Sequence, residues 1–213
     1  SSDEEEEVGV HEWRRRLQDA RLPPRYLHGL VMEYLVVEGH SAAAGVFAEE
    51  AGQEVPVPLA SIDQRVAIRR AVMSGAVGDA VDLTNALHPA LLATDPGLLF
   101  RLWTQAVVDK VVDGLWSQAL TVAAARLRPL ADGDPSLLPA LEDVMALFAF
   151  YHPEASPTAF LLSEAHRVGT ADALNAAIVR SEGQHAEPCV TQLVRTVLAS
   201  QNRLGHTLSF PRI

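Results

Sequence analysis

The chain has 213 residues, of which 48% are hydrophobic and 21% are charged, and its formal net charge is −10. The hydrophobic fraction excludes a chain that is disordered as a whole, and the length allows one or two domains with a sizeable core. The negative charge argues against a general nucleic-acid binder, because phosphate contacts need basic patches.

The compartment can be inferred from what the sequence lacks. No apolar run approaches the ~20 residues of a membrane-spanning helix, and the first residues are acidic, so we expect no membrane span and no signal peptide. The single cysteine, Cys189, excludes a framework of disulfides. We therefore expect a protein of the cytoplasm and nucleus.

The N-terminal region divides at a pair of prolines. Residues 1–10 are acidic and of low complexity, which predicts disorder, and residues 11–22 form a short amphipathic pattern with Trp13 and Leu17 on one face. Pro23 and Pro24 then end this pattern and open the next helix.

A helical hairpin is predicted between residues 27 and 50. The apolar positions of its first helix follow the i, i+3, i+4, i+7, i+8 spacing of one helix face, at Leu27, Leu30, Val31, Tyr34 and Leu35. Gly39 is placed to end that helix in a left-handed conformation, and Ser41 is placed to cap the next, which carries Ala43 and Phe47. Two helices this short cannot bury these side chains alone, so we expect the hairpin to meet a second copy of a similar unit.

The remaining chain reads as helices with short connections. Residues 52–59, with Pro56 and Pro58, form a candidate linker, and Ser61 or Asp63 could cap the helix that follows. Residues 97–113 are apolar nearly all round, which predicts a helix at the centre of a bundle, and Trp103 and Trp116 are interpreted as core residues. Further helices are predicted near 158–168 and 171–181, and the last carries Val190, Leu193, Val194, Val197 and Leu198 on one face. The fold class is all-α, a bundle of about nine or ten helices.

Motifs for catalysis or metal binding are incomplete. His11 and Glu12 begin a zinc-protease pattern, but position 15 is Arg15 rather than histidine. Asp132 and Asp134 resemble the start of a calcium loop that does not continue. We predict no catalytic residue, no metal site and no cofactor.

The hairpin also carries a family resemblance. The pattern L-x-x-L-V-x-x-Y-L-x-x-x-G-x-x-x-A-A-x-x-F-x-x-E, within residues 24–56, resembles the LisH (Lis-homology) motif, a dimerising helical hairpin. The resemblance implies a dimerisation interface made of Leu27, Leu30, Val31, Tyr34, Leu35, Ala43 and Phe47.

The rest of the chain extends this resemblance. Residues 61–115 resemble a CTLH (C-terminal to LisH) domain, in pieces such as Leu87-His88-Pro89, Phe100-x-Leu102 and Gln105. Residues 116–205 resemble a CRA domain, whose hallmark matches AFYHPEASP, and residues 206–213 remain as a C-terminal tail. Together these modules are similar to the LisH–CTLH–CRA subunits of the CTLH (GID) E3 ubiquitin ligase.

The resemblance implies a function and a set of partners. It implies a non-catalytic scaffold for ubiquitin-dependent protein degradation, which joins related SPRY-bearing and RING-bearing subunits and an armadillo-type subunit in a dimer or higher assembly. In this family the LisH hairpin packs with the C-terminal CRA helices to dimerise, and the CTLH region with the first CRA helices contacts another subunit. The alternative is a free-standing homodimeric LisH adaptor, on microtubules or in transcriptional regulation.

A second partner interface is predicted in the CTLH and CRA segments, with two interpretations of its arginines. Arg65, Arg69 and Arg70 form either a solvated helix flank or the charged rim of a partner surface, where arginine favours bidentate contacts. We assign to this interface Arg65, Arg69, Leu87, His88, Leu92, Phe100 and Gln105.

The basic residues are unequally divided, with sixteen arginines and one lysine, Lys110. One interpretation is a genomic bias toward alanine and arginine. The functional hypothesis is that a protein beside a ubiquitin-transfer centre benefits from few acceptor lysines.

Overall fold

A computed structural model describes residues 6–7, 10–19, 23–204 and 208–209. Within these residues the fold is all-α, as predicted, with twelve α-helical segments rather than nine or ten. They are α1 (Val10–Asp19), α2 (Pro24–Glu38), α3 (Ser41–Ala51), α4 (Leu59–Met73), α5 (Val77–Leu87), α6 (Leu91–Thr94), α7 (Pro96–Val112), α8 (Trp116–Val122), α9 (Arg128–Gly133), α10 (Leu138–Ala146), α11 (Glu164–Ser181) and α12 (Cys189–Leu204). Two short strands, β1 (Glu6–Glu7) and β2 (Leu208–Ser209), pair in parallel.

The helices form two compact units. Unit 1 comprises residues 1–59 and 187–213, and unit 2 comprises residues 60–186. The C-terminal helix α12 thus belongs to the same unit as the predicted LisH hairpin, although about 130 residues separate them in sequence. The predicted disorder of residues 1–10 falls mostly outside the described residues, as do the side chains of Trp13 and Leu17.

The hairpin of unit 1 forms as its sequence predicts, with one correction. Gly39 ends α2 at φ 88°, and the amide of His40 donates to the carbonyl of Leu35 at 2.8 Å. Only a residue without Cβ adopts this left-handed conformation readily, so the glycine fixes where α2 ends. The prediction that Ser41 caps α3 is wrong, because His40 occupies the N-cap position and Ser41 is the first residue of the helix.

The core of unit 2 surrounds α7. This helix buries ten residues, including Leu98, Leu102, Val107 and Val111, as its nearly continuous apolar sequence predicts. One side packs against α4, α5 and α11, and the other packs against α8, α10 and the π-helical segment Ala123–Leu127. Trp103 and Trp116 are half-buried at these cores.

Two predictions of helix ends in unit 2 are wrong. The helix α4 begins at Leu59, so neither Ser61 nor Asp63 caps it. The predicted break near residue 170 is absent, and α11 runs without interruption from Glu164 to Ser181. A Cβ at Gly169 would lie 2.9 Å from the guanidinium of Arg101, so glycine makes room inside this helix for an arginine of α7.

Candidate interaction surfaces

The predicted LisH residues divide by exposure. Met32, Val36, Val37 and Ala44 are buried and hold the hairpin together. Among the predicted interface residues, Leu30, Leu35 and Phe47 are half-buried, whereas Leu27, Val31, Tyr34 and Ala43 are exposed. The rings of His28 and Phe47 pack at nearly a right angle with their centroids 5.8 Å apart, so Phe47 contributes to the hairpin itself.

The helix α12 adds exposed apolar side chains to unit 1. Every residue from 191 to 200 is exposed, including Leu193, Val194, Val197 and Leu198. This helix packs beside α2, where the thiol of Cys189 donates to the Glu33 carboxylate at 3.2 Å. That hydrogen bond raises the pKa of Cys189. We call Leu27, Val31, Tyr34, Leu193, Val194, Val197 and Leu198 the unit 1 apolar set.

Four residues of the second predicted interface are interior residues, which corrects the prediction. Arg65, Leu92, Phe100 and Gln105 are each at most 3% exposed, so a partner cannot reach them on this surface. Leu87 and His88 are half-buried. Arg69 keeps an accessible side chain and pairs with Asp172 of α11. Of the assigned set, Arg69 is the residue best placed to meet a partner.

A buried polar cluster explains the position of Arg65. Its Nε lies 3.5 Å from the Glu182 carboxylate, and its Nη1 donates to Asn175 Oδ1 at 3.1 Å. Glu182 also accepts a hydrogen bond from the Ser61 hydroxyl and lies 3.8 Å from His88 Nε2. Burial lowers the pKa of Arg65, and the charge of Glu182 opposes this shift. The cluster ties α4 to the end of α11 and is structural rather than exposed for binding.

A second polar network joins α7 to α11. Gln105 Nε2 and Arg167 Nη2 each donate to Asp109 Oδ1 at 2.7 Å, and Arg167 Nη1 donates to the Met73 carbonyl at 3.2 Å. His166 Nδ1 lies 3.0 Å from Gln105 Oε1, which accepts, so this ring nitrogen carries the proton. Burial raises the pKa of Asp109, and its bonds to Gln105 and Arg167 counteract that shift.

This network predicts a pH dependence of stability. Burial, together with the charge of Arg101, lowers the pKa of His166 below its usual 6.5. As pH falls through 6.5, the unfolded chain takes up a proton before the folded chain does, so the free energy of unfolding decreases until the folded pKa is passed. We expect the urea midpoint of the wild type to fall more steeply with acidification than that of His166→Gln. Parallel curves for the two proteins would contradict this.

Unit 2 also exposes aromatic side chains in the CRA-like hallmark (149–157) and just after it. The hallmark contains the 3₁₀ turn Pro153–Ala155, and a second 3₁₀ turn, Ala159–Leu162, follows it. The two turns pack on each other, and the second also packs against α7. Pro153 and Leu161 are buried, whereas Tyr151 and Phe160 are exposed. The segment therefore buries a proline and a leucine and leaves two aromatic rings exposed to solvent.

Comparison with known proteins supports the predicted resemblance to CTLH and CRA domains. The family model described as "CTLH/CRA C-terminal to LisH motif domain" matches residues 61–205. The chain belongs to the CTLH/CRA family. It is 33% identical to the "Protein GID8 homolog" of Arabidopsis thaliana over 95% of this chain and 83% of that protein.

Further relatives of this CTLH/CRA chain carry similar names. The "Glucose-induced degradation protein 8 homolog" of Dictyostelium discoideum is 33% identical over 97% of this chain and 90% of its own length. The "GID complex subunit 8" of Schizosaccharomyces pombe is 29% identical over 87% and 81%. These similarities confirm the predicted resemblance, because they span nearly the whole chain.

The assigned sites of this CTLH/CRA protein omitted residues that the structure makes prominent. The i, i+3, i+4 spacing of apolar residues in α12 predicts an apolar helix face. The spacing alone does not show whether another helix of the chain covers that face. Tyr151 and Phe160 lie in an irregular proline-containing segment, where no period indicates exposure. Among the described residues no cluster of three or more potential metal ligands occurs, and no helix is long and apolar enough to cross a membrane.

Proposed function

We propose that this chain is a non-catalytic scaffold subunit of a CTLH (GID)-type E3 ubiquitin ligase. It holds related subunits in fixed geometry, so that bound substrate comes within reach of a ubiquitin-loaded enzyme on RING-bearing subunits. The observation that carries the proposal is the unit 1 apolar set, because exposed leucines and valines on two adjacent helices are typical of a surface that another protein covers. Relatives named GID8 homologues and GID complex subunit 8 support the kind of assembly.

The two units give the scaffold two places to bind. Unit 1 pairs through α2 and α12 with a related LisH-bearing subunit, such as a SPRY-bearing one. Unit 2 contacts the RING-bearing branch through an accessible surface near Arg69, and an armadillo-type subunit completes the assembly. The complex works in the cytoplasm and nucleus. Similarity to GID8 homologues along nearly the whole chain favours this role over a free-standing LisH adaptor.

The proposal that this subunit binds no zinc and transfers no ubiquitin can be tested with purified components. One cysteine cannot build the paired zinc sites of a RING domain. We expect the purified chain to hold no stoichiometric zinc and to leave a ubiquitin-charged conjugating enzyme intact, while the RING-bearing subunits discharge it in a parallel reaction. Zinc by elemental analysis, or discharge above background by the chain alone, would overturn the proposal.

A further inference from the structure

Unit 2 contains an open groove distinct from the unit 1 apolar set. The groove lies between the junction of α7 with α8 and the 3₁₀ turns Pro153–Ala155 and Ala159–Leu162, and it has a volume of about 410 Å³. Its lining is largely apolar, with one carboxylate, and consists of Val111, Val112, Gly114, Trp116, Pro153, Glu154 and Leu162.

The walls of the groove are fixed before any partner arrives. Pro153 is buried, and the hydroxyls of Ser156 and Thr158 lie 2.9 Å apart in the interior, which holds the turn segment in place. On the opposite side, Trp116 meets Phe148 edge to face, with ring centroids 6.0 Å apart. A preformed groove loses little conformational entropy on binding, so its contacts can contribute more fully to affinity.

One large hydrophobic residue of the lining is exposed, and two exposed aromatic side chains occur in the segment that carries Pro153 and Leu162. Val112, on the α7 side, is 57% exposed, and Tyr151, two residues before Pro153, is 92% exposed. Phe160, in the second turn, is 58% exposed. Tyrosine is enriched among the residues that dominate binding energy at protein interfaces. Such side chains favour a protein partner that brings an apolar side chain to the groove.

The one charged side chain that lines the groove is acidic. Glu154 lines it and is exposed, and Asp113 caps the C-terminal end of α7 beside Val112. A helix C-terminus adds about half a negative charge from its last carbonyl groups. Lys110, one turn earlier on α7, does not line the groove, and its Nζ donates to Gln118 Oε1 on α8 at 3.5 Å. The groove therefore complements a cationic side chain and repels a phosphate backbone.

We propose that this groove binds a segment of a partner protein in which an arginine or lysine stands next to large apolar residues. The apolar residue fills the space between Trp116 and Leu162, and the cation pairs with Glu154 at the rim. The inference rests on the proposed scaffold role only in taking the natural partner to be a protein subunit. The groove and its charge are independent of that role.

The test uses a phage-displayed library of random peptides on the purified full chain. We expect enriched peptides to combine arginine or lysine with leucine, phenylalanine or tryptophan. A synthetic peptide from this pool should bind Glu154→Arg at least about tenfold more weakly, and a version with glutamate in place of its cation should recover affinity for that variant. Glu142→Arg, which reverses an exposed acid on α10, is the matched control and should bind like the wild type.

Three outcomes would overturn the inference: no enrichment over an empty support, enriched peptides without a preference for basic residues, or equal losses in Glu154→Arg and Glu142→Arg. Failure here is distinguishable from failure of the scaffold role. Variants of the unit 1 apolar set should bind the peptide normally even where they lose subunit pairing.

Discussion

Aspartate in place of both Val31 and Val197 should convert the chain from a dimer or larger species into a monomer. Both residues belong to the unit 1 apolar set, and both are at least 40% exposed, so the isolated fold tolerates the change. In an interface the same carboxylates would be buried without partners, at a cost of about 2–5 kcal/mol each. We expect light scattering to give a dimer or larger species for the wild type and a monomer for the double variant.

The control for this experiment is Leu83→Asp. Leu83 is 42% exposed on α5 of unit 2, so it receives the same charge outside the proposed interface. It should leave the mass unchanged, and circular dichroism should show equal helix content for all three proteins. Replacing Leu35 and Phe47 is less informative, because both are half-buried and also support the hairpin. A monodisperse wild-type monomer at micromolar concentration would contradict the proposed pairing.

Arg65→Met should destabilise unit 2 by about 3–5 kcal/mol, the usual consequence of removing one member of a buried ion pair. The side chains of Arg65 and Glu182 are 1% and 8% exposed, so the substitution leaves a buried carboxylate without its cation. Combining it with Glu182→Gln should recover much of the loss, because the uncompensated charge is then removed. Urea denaturation followed by circular dichroism measures each free energy of unfolding.

Arg69→Met provides the matched comparison. Arg69 is one turn from Arg65 on α4, and its pair with Asp172 has side chains 41% and 57% exposed. Solvent weakens such a pair, so we expect a loss of about 0–1 kcal/mol. Equal losses for the two arginines would show that burial does not control the strength of the Arg65 pair.

The outline of the fold could be predicted from sequence because its signals are local. Gly39 ends α2 as predicted, and the apolar sequence of α7 correctly placed that helix at the centre of unit 2. Cap positions are harder to predict from sequence, because serine and aspartate also occur inside the first turn of a helix, as Ser61 does in α4. The continuity of α11 depends on Arg101 packing over Gly169, a contact between segments that no local pattern records.

The predicted sites were less accurate because exposure depends on distant segments. The sequence predicts Arg65 at the surface, yet Arg65 shares one face of α4 with the buried Ile62 and Ile68, at a spacing of three residues. That spacing indicated burial, but Asn175, which accepts its hydrogen bond, comes 110 residues later. Gln105 is similar, since it lies in a helix whose apolar residues surround it on all sides.

Co-precipitation with the proposed partners tests most directly whether this chain is a scaffold with two separate partner surfaces. Wild type, Val31→Asp and Arg69→Glu are each co-expressed with a SPRY-bearing and a RING-bearing subunit, and the recovered partners are quantified. A double variant, Arg69→Glu with Asp172→Arg, restores the ion pair within unit 2 while keeping the reversed charge at position 69.

We expect Val31→Asp to lose the SPRY-bearing subunit and keep the RING-bearing one, and Arg69→Glu to do the opposite. The double variant should bind like Arg69→Glu, because the partner meets the reversed charge in both. If Val31→Asp and Arg69→Glu lose the same partners to the same extent while both remain folded, a single composite interface replaces the two-surface scaffold.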